Sequence, residues 1–412
     1  MRKYIIPIII FFSVFIIYFG VSTKFTFKPK WALDYFNPLA NSILNFRLDI
    51  QNPGSTYDLS LYKGKWFVPW GVLVSVFLVP IQLIKGRYIP LLYLSLLFSS
   101  LNTVFVYLLL KRIKKEFLHN LSNYSMFIFL ILFTFGTTQF YVGTLGSSWH
   151  VNQMVTSFLG TLGIYIIFKK KRTTKEYLIS SIIFSLALIG RFTVVMLLAL
   201  PIFLYCLDYF STKKLTFNLK FLKKFILIFF VPLIFFISIS SFYNYIRFED
   251  PLEFGYSYIH ESPYLAKIRN ENGLSSFKNL INNSRYMLFE LPSFDISNKP
   301  RLNFNLNGNS IFFLTPPFLA AFLAKPFRVK KRKLILDPYI FSLWSVSIIT
   351  IVPSLMHYSS GWMQFGYRYS LDITVLLLLL SLFGVKGKAN IFYTAGVLFS
   401  IVIYLIGINS LM

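Results

Sequence analysis

The sequence predicts an all-α membrane protein, a polytopic bundle of transmembrane helices. Hydrophobic residues make up 56% of the 412 residues and charged residues only 14%, whereas a soluble domain has about 25% charged residues. The apolar residues come in blocks, many of them near the roughly 20 residues that cross a bilayer as a helix. Short basic clusters separate the blocks, as in the cytoplasmic loops of membrane proteins.

Composition and motifs exclude several classes of function. The net charge of +26 does not indicate nucleic-acid binding, because the basic residues form no stripe on a folded domain. The single cysteine, Cys206, excludes an intrachain disulfide and a cysteine-based zinc site. The four histidines are far apart, so no histidine cluster indicates a metal. No phosphate-binding glycine loop, metalloprotease motif or serine elbow is present.

The first apolar block runs from Tyr4 to Ser22 and follows Arg2 and Lys3. It is longer than the 7–15 apolar residues typical of a signal peptide, and no small-residue cleavage site follows it. We predict an uncleaved first helix with its N-terminus inside.

The remaining apolar blocks bring the predicted number of spans to about eleven. The block from Tyr177 to Tyr205 is long and is broken at Gly190-Arg191, so it is either one tilted helix or two half-helices. The later blocks are approximately Gly71–Ile84, Tyr88–Leu110, Tyr124–Val142, His150–Phe168, Tyr177–Tyr205, Phe221–Tyr243, Ile311–Leu323, Tyr339–Met356, Leu371–Phe383 and Ile391–Ile408.

Two polar segments, residues 23–70 and 245–310, hold ten of the 15 acidic residues. The positive-inside rule places these two mixed-charge segments outside and the basic connectors inside. Residues 1–412 then form a single integral membrane domain with a first outer loop and a large outer loop. The connectors predicted to be inside contain Lys213, Lys214, Lys220, Lys223, Lys224, Lys325, Arg328, Lys330, Lys331, Arg332 and Lys333.

Two further basic clusters, Lys111–Lys115 and Lys169–Lys175, fall outside if every early block spans the membrane once. Both clusters lie inside only if one early block is re-entrant and the Tyr177 block splits in two. The sequence leaves this choice open.

Ionisable residues in or beside apolar segments are the candidate functional residues, because lipid tolerates them only where they face a cavity or a partner. Asp34 precedes a stretch with apolar residues at helical spacing, which predicts an amphipathic helix on the membrane surface. Asp34 is a candidate general base there. The alternative is that this carboxylate stabilises the start of the helix.

Three arginines are candidates to bind a phosphate. Arg191 interrupts an apolar stretch, and its planar guanidinium suits a phosphate or a structural ion pair. Arg368 and Asp372 are four residues apart, which predicts that both lie on one helix face. Arg368 would then bind a phosphate while Asp372 holds its guanidinium. The third candidate, Arg247, follows a predicted helix.

Supporting residues come from the same segments. Arg247, Glu253 and Tyr256 lie in the stretch NYIRFEDPLEFGYSYI, where carboxylates and aromatic rings suit a carbohydrate, although a solvated loop explains them equally well. His150 begins another block, and a lone histidine of this kind is more often a satisfied interfacial residue than a catalyst.

Four segments resemble the GT-C superfamily of membrane glycosyltransferases, in particular the bacterial relatives of protein O-mannosyltransferases and of lipid A aminoarabinose transferases. The segment LDYFNPLANSILNFRLDI, followed by DLSLYKGKWFVPWGVLVSVFLVP, is similar to that superfamily's acid, membrane-surface helix and proline-containing start of the second helix. The segments YNYIRFEDPLEFGY and WMQFGYRYSLDITVLLL resemble recurring parts of bacterial members. The chain departs from the pattern where Tyr35 follows Asp34, since many members have two adjacent acids, and where Val68 precedes Pro69 instead of a second proline.

The resemblance implies an inverting glycosyltransferase in the bacterial cell membrane. The donor would be a polyprenyl-phosphate sugar, and the acceptor would be a glycan, lipid or protein of the cell envelope on the outer face. Asp34 would match the catalytic acid, and Arg191, Arg247 and Arg368 would hold the leaving phosphate. Such a reaction needs no metal where cationic side chains neutralise the phosphate, although some members of the superfamily use a divalent ion.

Two other functions remain open from the sequence. An O-antigen or capsule polymerase also has many spans and a large outer loop, but it predicts a plain loop between Thr23 and Pro69 instead of a surface helix. A transporter or flippase of lipid-linked sugars predicts a central cavity that reaches both faces, and activity that survives Asp34→Ala.

Overall fold

The computed structural model describes residues 2–212, 219–295, 301–330 and 333–411. The described chain is mostly helical, and six of its helices are long and apolar enough to cross a membrane. It is therefore a helical, membrane-embedded protein, whereas the total of eleven spans stays a prediction. Of the predicted basic connectors, Lys213, Lys214, Lys331 and Arg332 lie outside the described residues. The six helices are Tyr4–Ser22, Leu92–Glu116, Phe192–Phe210, Leu219–Phe248, Pro338–Met356 and Ile391–Leu411.

The α-helices are numbered in chain order. They are α1 Arg2–Ser22, α2 Phe36–Leu44, α3 Leu73–Lys85, α4 Leu92–Glu116, α5 Asn123–Phe135, α6 Thr138–Gly143, α7 Ser148–Ile167, α8 Thr174–Ala187, α9 Ala199–Thr212, α10 Leu219–Phe225, α11 Val231–Phe248, α12 Pro263–Asn272, α13 Phe277–Leu288, α14 Ile311–Leu314, α15 Pro338–Met356, α16 Leu371–Gly384 and α17 Ile391–Leu411. Short 3-10 helices cover Phe192–Leu198, Tyr256–Tyr258, Pro316–Leu323 and Arg368–Ser370, and a π-helical turn covers Ile226–Phe230.

Eight short strands in the described residues form four two-stranded sheets, a small departure from the predicted all-α class. Three of the sheets are antiparallel. The fourth pairs β5 with β8 in parallel and so joins the large polar segment to the chain before α16. The strands are β1 Ser60–Tyr62, β2 Lys65–Phe67, β3 Ser293–Asp295, β4 Arg301–Asn303, β5 Asn307–Asn309, β6 Phe327–Lys330, β7 Lys333–Leu336 and β8 Gln364–Gly366.

The connectors that follow α4, α7 and α16 meet the last turn of α9 at one end of the bundle, which we term the basic end. The backbone N–H of Lys170 donates to Glu116 Oε2 over 2.7 Å. Asn120 Nδ2 donates to the backbone oxygen of Lys386 over 3.2 Å, and Arg172 Nε donates to Asp208 Oδ2 over 2.9 Å. The clusters Lys111–Lys115 and Lys169–Lys175 therefore lie at the same end.

The helix α3 begins and ends beside the same part of the first polar segment. Before α3, the ring of Trp70 lies 5.8 Å from that of Tyr35, centroid to centroid. After α3, the backbone oxygen of Ile89 accepts from Asn37 Nδ2 over 2.8 Å. Gln82, near the end of α3, also donates to Asn37 Oδ1 over 2.9 Å. With 13 residues, α3 is about 20 Å long, and it does not carry the chain to the basic end.

The predicted block from Tyr177 to Tyr205 is two helices, because α8 ends at Ala187 and a new helix begins at Phe192. Gly190 sits at the break, where a Cβ atom would lie 2.4 Å from Thr156 Cγ2. The split helix and the returning α3 together are the arrangement that brings both early basic clusters to one end.

The two polar segments meet at the opposite end of the bundle, which we term the mixed-charge end. Asp58 N donates to the backbone oxygen of His260 over 2.7 Å, and His260 N donates to that of Leu59 over 2.7 Å. Ser60 Oγ donates to the backbone oxygen of Gly255 over 2.7 Å. These contacts join residues about 200 positions apart and make one outer layer of the two segments.

Candidate functional site

A cavity of about 360 Å³ lies at the mixed-charge end, within the size range of small-molecule sites. Five stretches of the chain form its walls: both polar segments, the loop between α6 and α7 with the start of α7, the loop between α15 and α16, and the end of α17. The residues that line it are Ala32, Tyr57, Asp58, Trp70, Leu145, Gly146, Ser147, Trp149, His150, Tyr256, Ile259, Leu265, His357, Tyr358, Ser359, Trp362, Met363, Arg368, Tyr369 and Leu411.

Arg368 contributes a buried guanidinium to this cavity. The residue is 8% exposed, its Nε has no hydrogen-bond partner, and no carboxylate of the described residues lies within 4.0 Å of it. The backbone is fixed on both sides, since Arg368 N donates to Gln364 Oε1 over 2.8 Å and Gln153 Nε2 donates to Arg368 O over 2.5 Å. A buried, unpaired guanidinium held by its backbone is a site for an anion.

Asp58 contributes a carboxylate to the same cavity. Its backbone has a φ of 62°, and its Oδ2 accepts a hydrogen bond from Trp149 Nε1 over 3.1 Å. Burial raises the pKa of Asp58 to about 6, against the hydrogen bond from Trp149 and the charge of Arg368, which lower it. A carboxyl with a pKa near 6 is mostly ionised at neutral pH and can accept a proton, which suits it to general base catalysis.

Aromatic rings and imidazoles form the rest of the cavity walls. The ring of Tyr256 lies 5.9 Å from that of His357, and Trp70 lies 5.9 Å from Trp149. Burial lowers the pKa of His357 to about 4, so this side chain is neutral at physiological pH. His150 is held by Ser147 Oγ, 2.6 Å from its Nδ1. Flat apolar faces with a few fixed polar groups are typical of sites that bind carbohydrate-sized ligands.

Glu261 supports the cavity wall from behind. Its Oε2 accepts from the hydroxyl of Tyr358 over 2.6 Å, and its Oε1 accepts from Arg269 Nε over 2.7 Å. The side chain is 1% exposed. These bonds fasten Tyr358 to α12, whose residue Leu265 also lines the cavity.

Asp372 pairs with Arg191 and not with Arg368, which corrects the predicted pair. Arg191 Nη1 lies 2.8 Å from Asp372 Oδ1, and Thr193 Oγ1 donates to Asp372 Oδ2 over 3.2 Å. Arg368 belongs to a 3-10 turn that precedes α16, so the four-residue spacing does not put the two side chains on one α-helical face. Both arginines lie over the ring of Tyr369, at 5.3 and 5.4 Å.

Asp34 binds the start of α2. Its Oδ1 accepts from the backbone N–H groups of Phe36 and Asn37, each over 3.0 Å, and its Oδ2 accepts from Asn37 Nδ2 over 2.5 Å. Burial raises the pKa of Asp34, and these hydrogen bonds offset part of the rise. Asp34 is not among the residues that line the cavity, whereas Ala32, two positions earlier, is. The geometry is that of the alternative stated above, a carboxylate at a helix start.

Arg247 and Glu253 make local hydrogen bonds. Arg247 donates to the backbone oxygen of Val68 over 2.5 Å and to Asn244 Oδ1 over 2.7 Å, and so ties the end of α11 to the first polar segment. Glu253 Oε2 accepts from Ser257 Oγ over 2.6 Å within its own turn. Neither residue lines the cavity.

The cavity therefore collects three of the predicted site residues, Arg368, Tyr256 and His150. It also contains Asp58 and Trp149, which are not among the predicted site residues. The sequence does place Asp58 at the first position of DLSLYKGKWFVPWG, the segment that leads back to the membrane, and this position was the available signal. The pairing with Trp149, 91 residues later, has no signal in the sequence.

Within the described residues, no group of three or more His, Cys, Asp or Glu side chains is placed to hold a metal ion. That the reaction requires no metal stays a prediction.

Comparison of the chain with protein-family models, curated proteins and solved structures finds no match in any of the three.

Proposed function

We propose that this chain is a membrane glycosyltransferase that moves a sugar from a polyprenyl-phosphate donor to a cell-envelope acceptor. The observation that carries the proposal is that an unpaired, buried guanidinium, Arg368, shares one cavity with a carboxyl of raised pKa, Asp58. A phosphate leaving group needs a cation, and an attacking hydroxyl needs a base, and the cavity offers one of each.

The sidedness of the reaction follows from charge. The basic end carries Lys111–Lys115 and Lys169–Lys175, and the positive-inside rule assigns such clusters to the cytoplasm. The cavity is at the other end, and we assign it to the outer face, where polyprenyl-linked sugars and envelope acceptors meet. The helix α2 within the first polar segment also favours a transferase over a polymerase, which predicts a plain loop there.

In the proposed reaction, the oxygen of an acceptor hydroxyl attacks the anomeric carbon of the donor sugar. Asp58 takes the hydroxyl proton as the new bond forms. The bond between the anomeric carbon and the phosphate oxygen breaks, and its electron pair goes to the phosphate. Arg368 neutralises the polyprenyl phosphate that leaves, and Asp58 then releases its proton to water. The sugar is transferred with inversion.

The proposed base differs from the residue that the family resemblance implies. Asp34 has its carboxylate bound by three hydrogen-bond donors at the start of α2, whereas Asp58 faces the cavity with one donor, Trp149. We therefore assign proton transfer to Asp58 and a structural role to Asp34. Arg191 forms an ion pair with Asp372 and lies over the ring of Tyr369. In the proposed site it would hold this ring in place beside Arg368.

The test is to incubate the purified protein in lipid nanodiscs with radiolabelled polyprenyl-phosphate sugars and an envelope extract. We expect Asp58→Asn to lower the transfer rate by about 10²- to 10⁴-fold, the usual contribution of a general base. Arg368→Gln should weaken transfer by about 10²-fold or more. Two controls remove the same charges elsewhere: Asp49→Asn in the same polar segment, and Arg285→Gln on an exposed side chain.

Two results would contradict the proposal. Undiminished transfer by Asp58→Asn would remove Asp58 as the base, and a parallel loss in Asp34→Asn would return that role to Asp34. Movement of a labelled lipid-linked sugar across vesicle membranes without any transfer would instead identify a flippase.

A further inference from the structure

The helix α13 buries two asparagine side chains and exposes two large apolar ones. The buried face carries Asn279 and Asn283, which are each 4% exposed. The outward face carries Phe277 and Ile281, which are 75% and 71% exposed. The buried side also carries Met287, and the exposed side also carries Lys278, Asn282 and Arg285. Phe277 and Ile281 therefore lie exposed beside polar side chains.

The inward asparagines bind the end of a candidate membrane span. Asn283 Nδ2 donates to the backbone oxygens of Leu355 and His357, each over 2.9 Å. Asn279 Nδ2 donates to the backbone oxygen of Met356 over 3.3 Å. These carbonyls belong to the last turn of α15 and the residue that follows, and such end carbonyls have no partner within their own helix.

This attachment fixes the depth of α13. The end of a span lies where the hydrocarbon core gives way to the headgroups, and α13 is tied to that level by its hydrogen bonds to the end of α15. Its outward side there carries no acidic residue, but it includes Asn282 and two cations, Lys278 and Arg285, of which Arg285 lies 3.4 Å from Glu290. Phe289, which follows the helix, is 73% exposed and extends the apolar surface.

We infer that α13 is a membrane-surface helix whose outward face, Phe277, Ile281 and Phe289, lies among the lipids of the outer leaflet. Lys278 is placed to meet lipid phosphates at the same level. Exposed apolar residues with basic residues beside them, at the level where a span ends, are features of helices that lie in a bilayer surface. The partner of this surface is therefore the bilayer itself.

The helix α13 is attached to one wall of the cavity. Asn283 binds the backbone oxygen of His357, and both His357 and Tyr358 line the cavity. One wall of the cavity is thus attached to a helix whose other side rests in lipid. This attachment does not depend on which reaction the cavity performs.

The experiment places a nitroxide label on α13 and compares its collisions with oxygen and with a water-soluble nickel chelate. The background is Cys206→Ser, since Cys206 is the chain's single cysteine. The test variant is Ile281→Cys and the matched control is Tyr264→Cys on α12; the native side chains at the two positions are both 71% exposed. The purified full chain is measured in nanodiscs of phosphatidylcholine and phosphatidylglycerol.

We expect the label at residue 281 to collide severalfold more often with oxygen than with nickel, because oxygen concentrates in lipid, and the label at 264 to show the reverse. Phe277→Cys repeats the test on the same face if Ile281→Cys folds poorly. Equal access of nickel to residues 281 and 264 would overturn the inference. Spin–spin broadening at 281 would also overturn it, because a second copy of the chain would then cover this face.

Discussion

The indole Nε1 of Trp149 donates a hydrogen bond to Asp58 Oδ2 over 3.1 Å. Among the contacts that lower the pKa of Asp58 it has the largest effect, and it acts against the burial that raises this pKa to about 6. A side chain in the first turn of α7 thus favours the ionised form of a carboxyl in the layer where the two polar segments meet.

Trp149→Phe should raise the pKa of Asp58 further, because the ionised carboxylate loses its donor. A hydrogen bond to a charged group contributes about 1.5–3 kcal/mol, which corresponds to a shift of roughly one pKa unit or more. If ionised Asp58 is the base, the rate of sugar transfer rises with pH through about 6 in the wild type. The variant should show the same rise at higher pH, measured as initial rates between pH 4.5 and 8.5.

The matched control for this pH profile is Trp70→Phe. Trp70 also lines the cavity and lies against Trp149, but it is not the donor to Asp58. A rising limb that moves equally in both variants would show that the shift comes from altered packing and not from the lost hydrogen bond.

Asp34→Ala should lower the stability of the protein without removing activity from the folded fraction. The variant leaves the N–H groups of Phe36 and Asn37 without their acceptor, and loss of a helix-start acceptor costs about 0.5–2 kcal/mol. Asp34→Asn should cost less, because its amide oxygen still accepts from the backbone. Thermal unfolding of the detergent-solubilised protein measures both. Loss of transfer in Asp34→Asn at full stability would contradict this assignment.

The sequence predicted the features that one segment carries by itself. The apolar blocks predicted a membrane-embedded helical protein, and the apolar spacing after Asp34 predicted the helix that is present as α2. The break at Gly190-Arg191 left two possibilities, and the structure has two helices there. Each of these signals lies within about 30 residues, because periodicity and breaker residues report on a single element.

The site itself depended on contacts that no local pattern records. Arg191 and Asp372 are 181 residues apart, and the spacing of Arg368 and Asp372 favoured a different pair. That spacing predicts a contact only inside an α-helix, and Arg368 precedes α16 in a 3-10 turn. Asp58 was equally indistinct in the sequence, because its surroundings include Trp149 from the first turn of α7 and Arg368 from the 3-10 turn before α16.

Gly361→Ala should weaken donor binding by displacing Arg368. A Cβ atom at Gly361, where φ is 94°, would lie 2.9 Å from Arg368 Nε, so the guanidinium has to move. Gly273→Ala is the matched control, because its φ is 73° and no atom lies within 4 Å of the added carbon. Both variants carry the backbone strain of about 1–2 kcal/mol. Only Gly361→Ala should raise the KM for the polyprenyl-phosphate sugar; equal KM values would show that Arg368 does not contact the donor.

The ion pair between Arg191 and Asp372 should be strongly coupled, since the side chain of Asp372 is fully buried and that of Arg191 is 14% exposed. Arg191→Met leaves a buried carboxylate without its cation, which costs about 3–5 kcal/mol. Arg191→Met with Asp372→Leu should recover most of that loss, because the double variant buries no charge. The measurement is a double-mutant cycle of thermal unfolding in detergent.

The control for this cycle is Lys267→Gln. Its partner Glu271 lies 3.8 Å away on an exposed surface, and such pairs contribute less than about 1 kcal/mol. Additive losses in the cycle would mean that the two buried residues stabilise the bundle independently, and the arginine would then be free to take part in binding the donor.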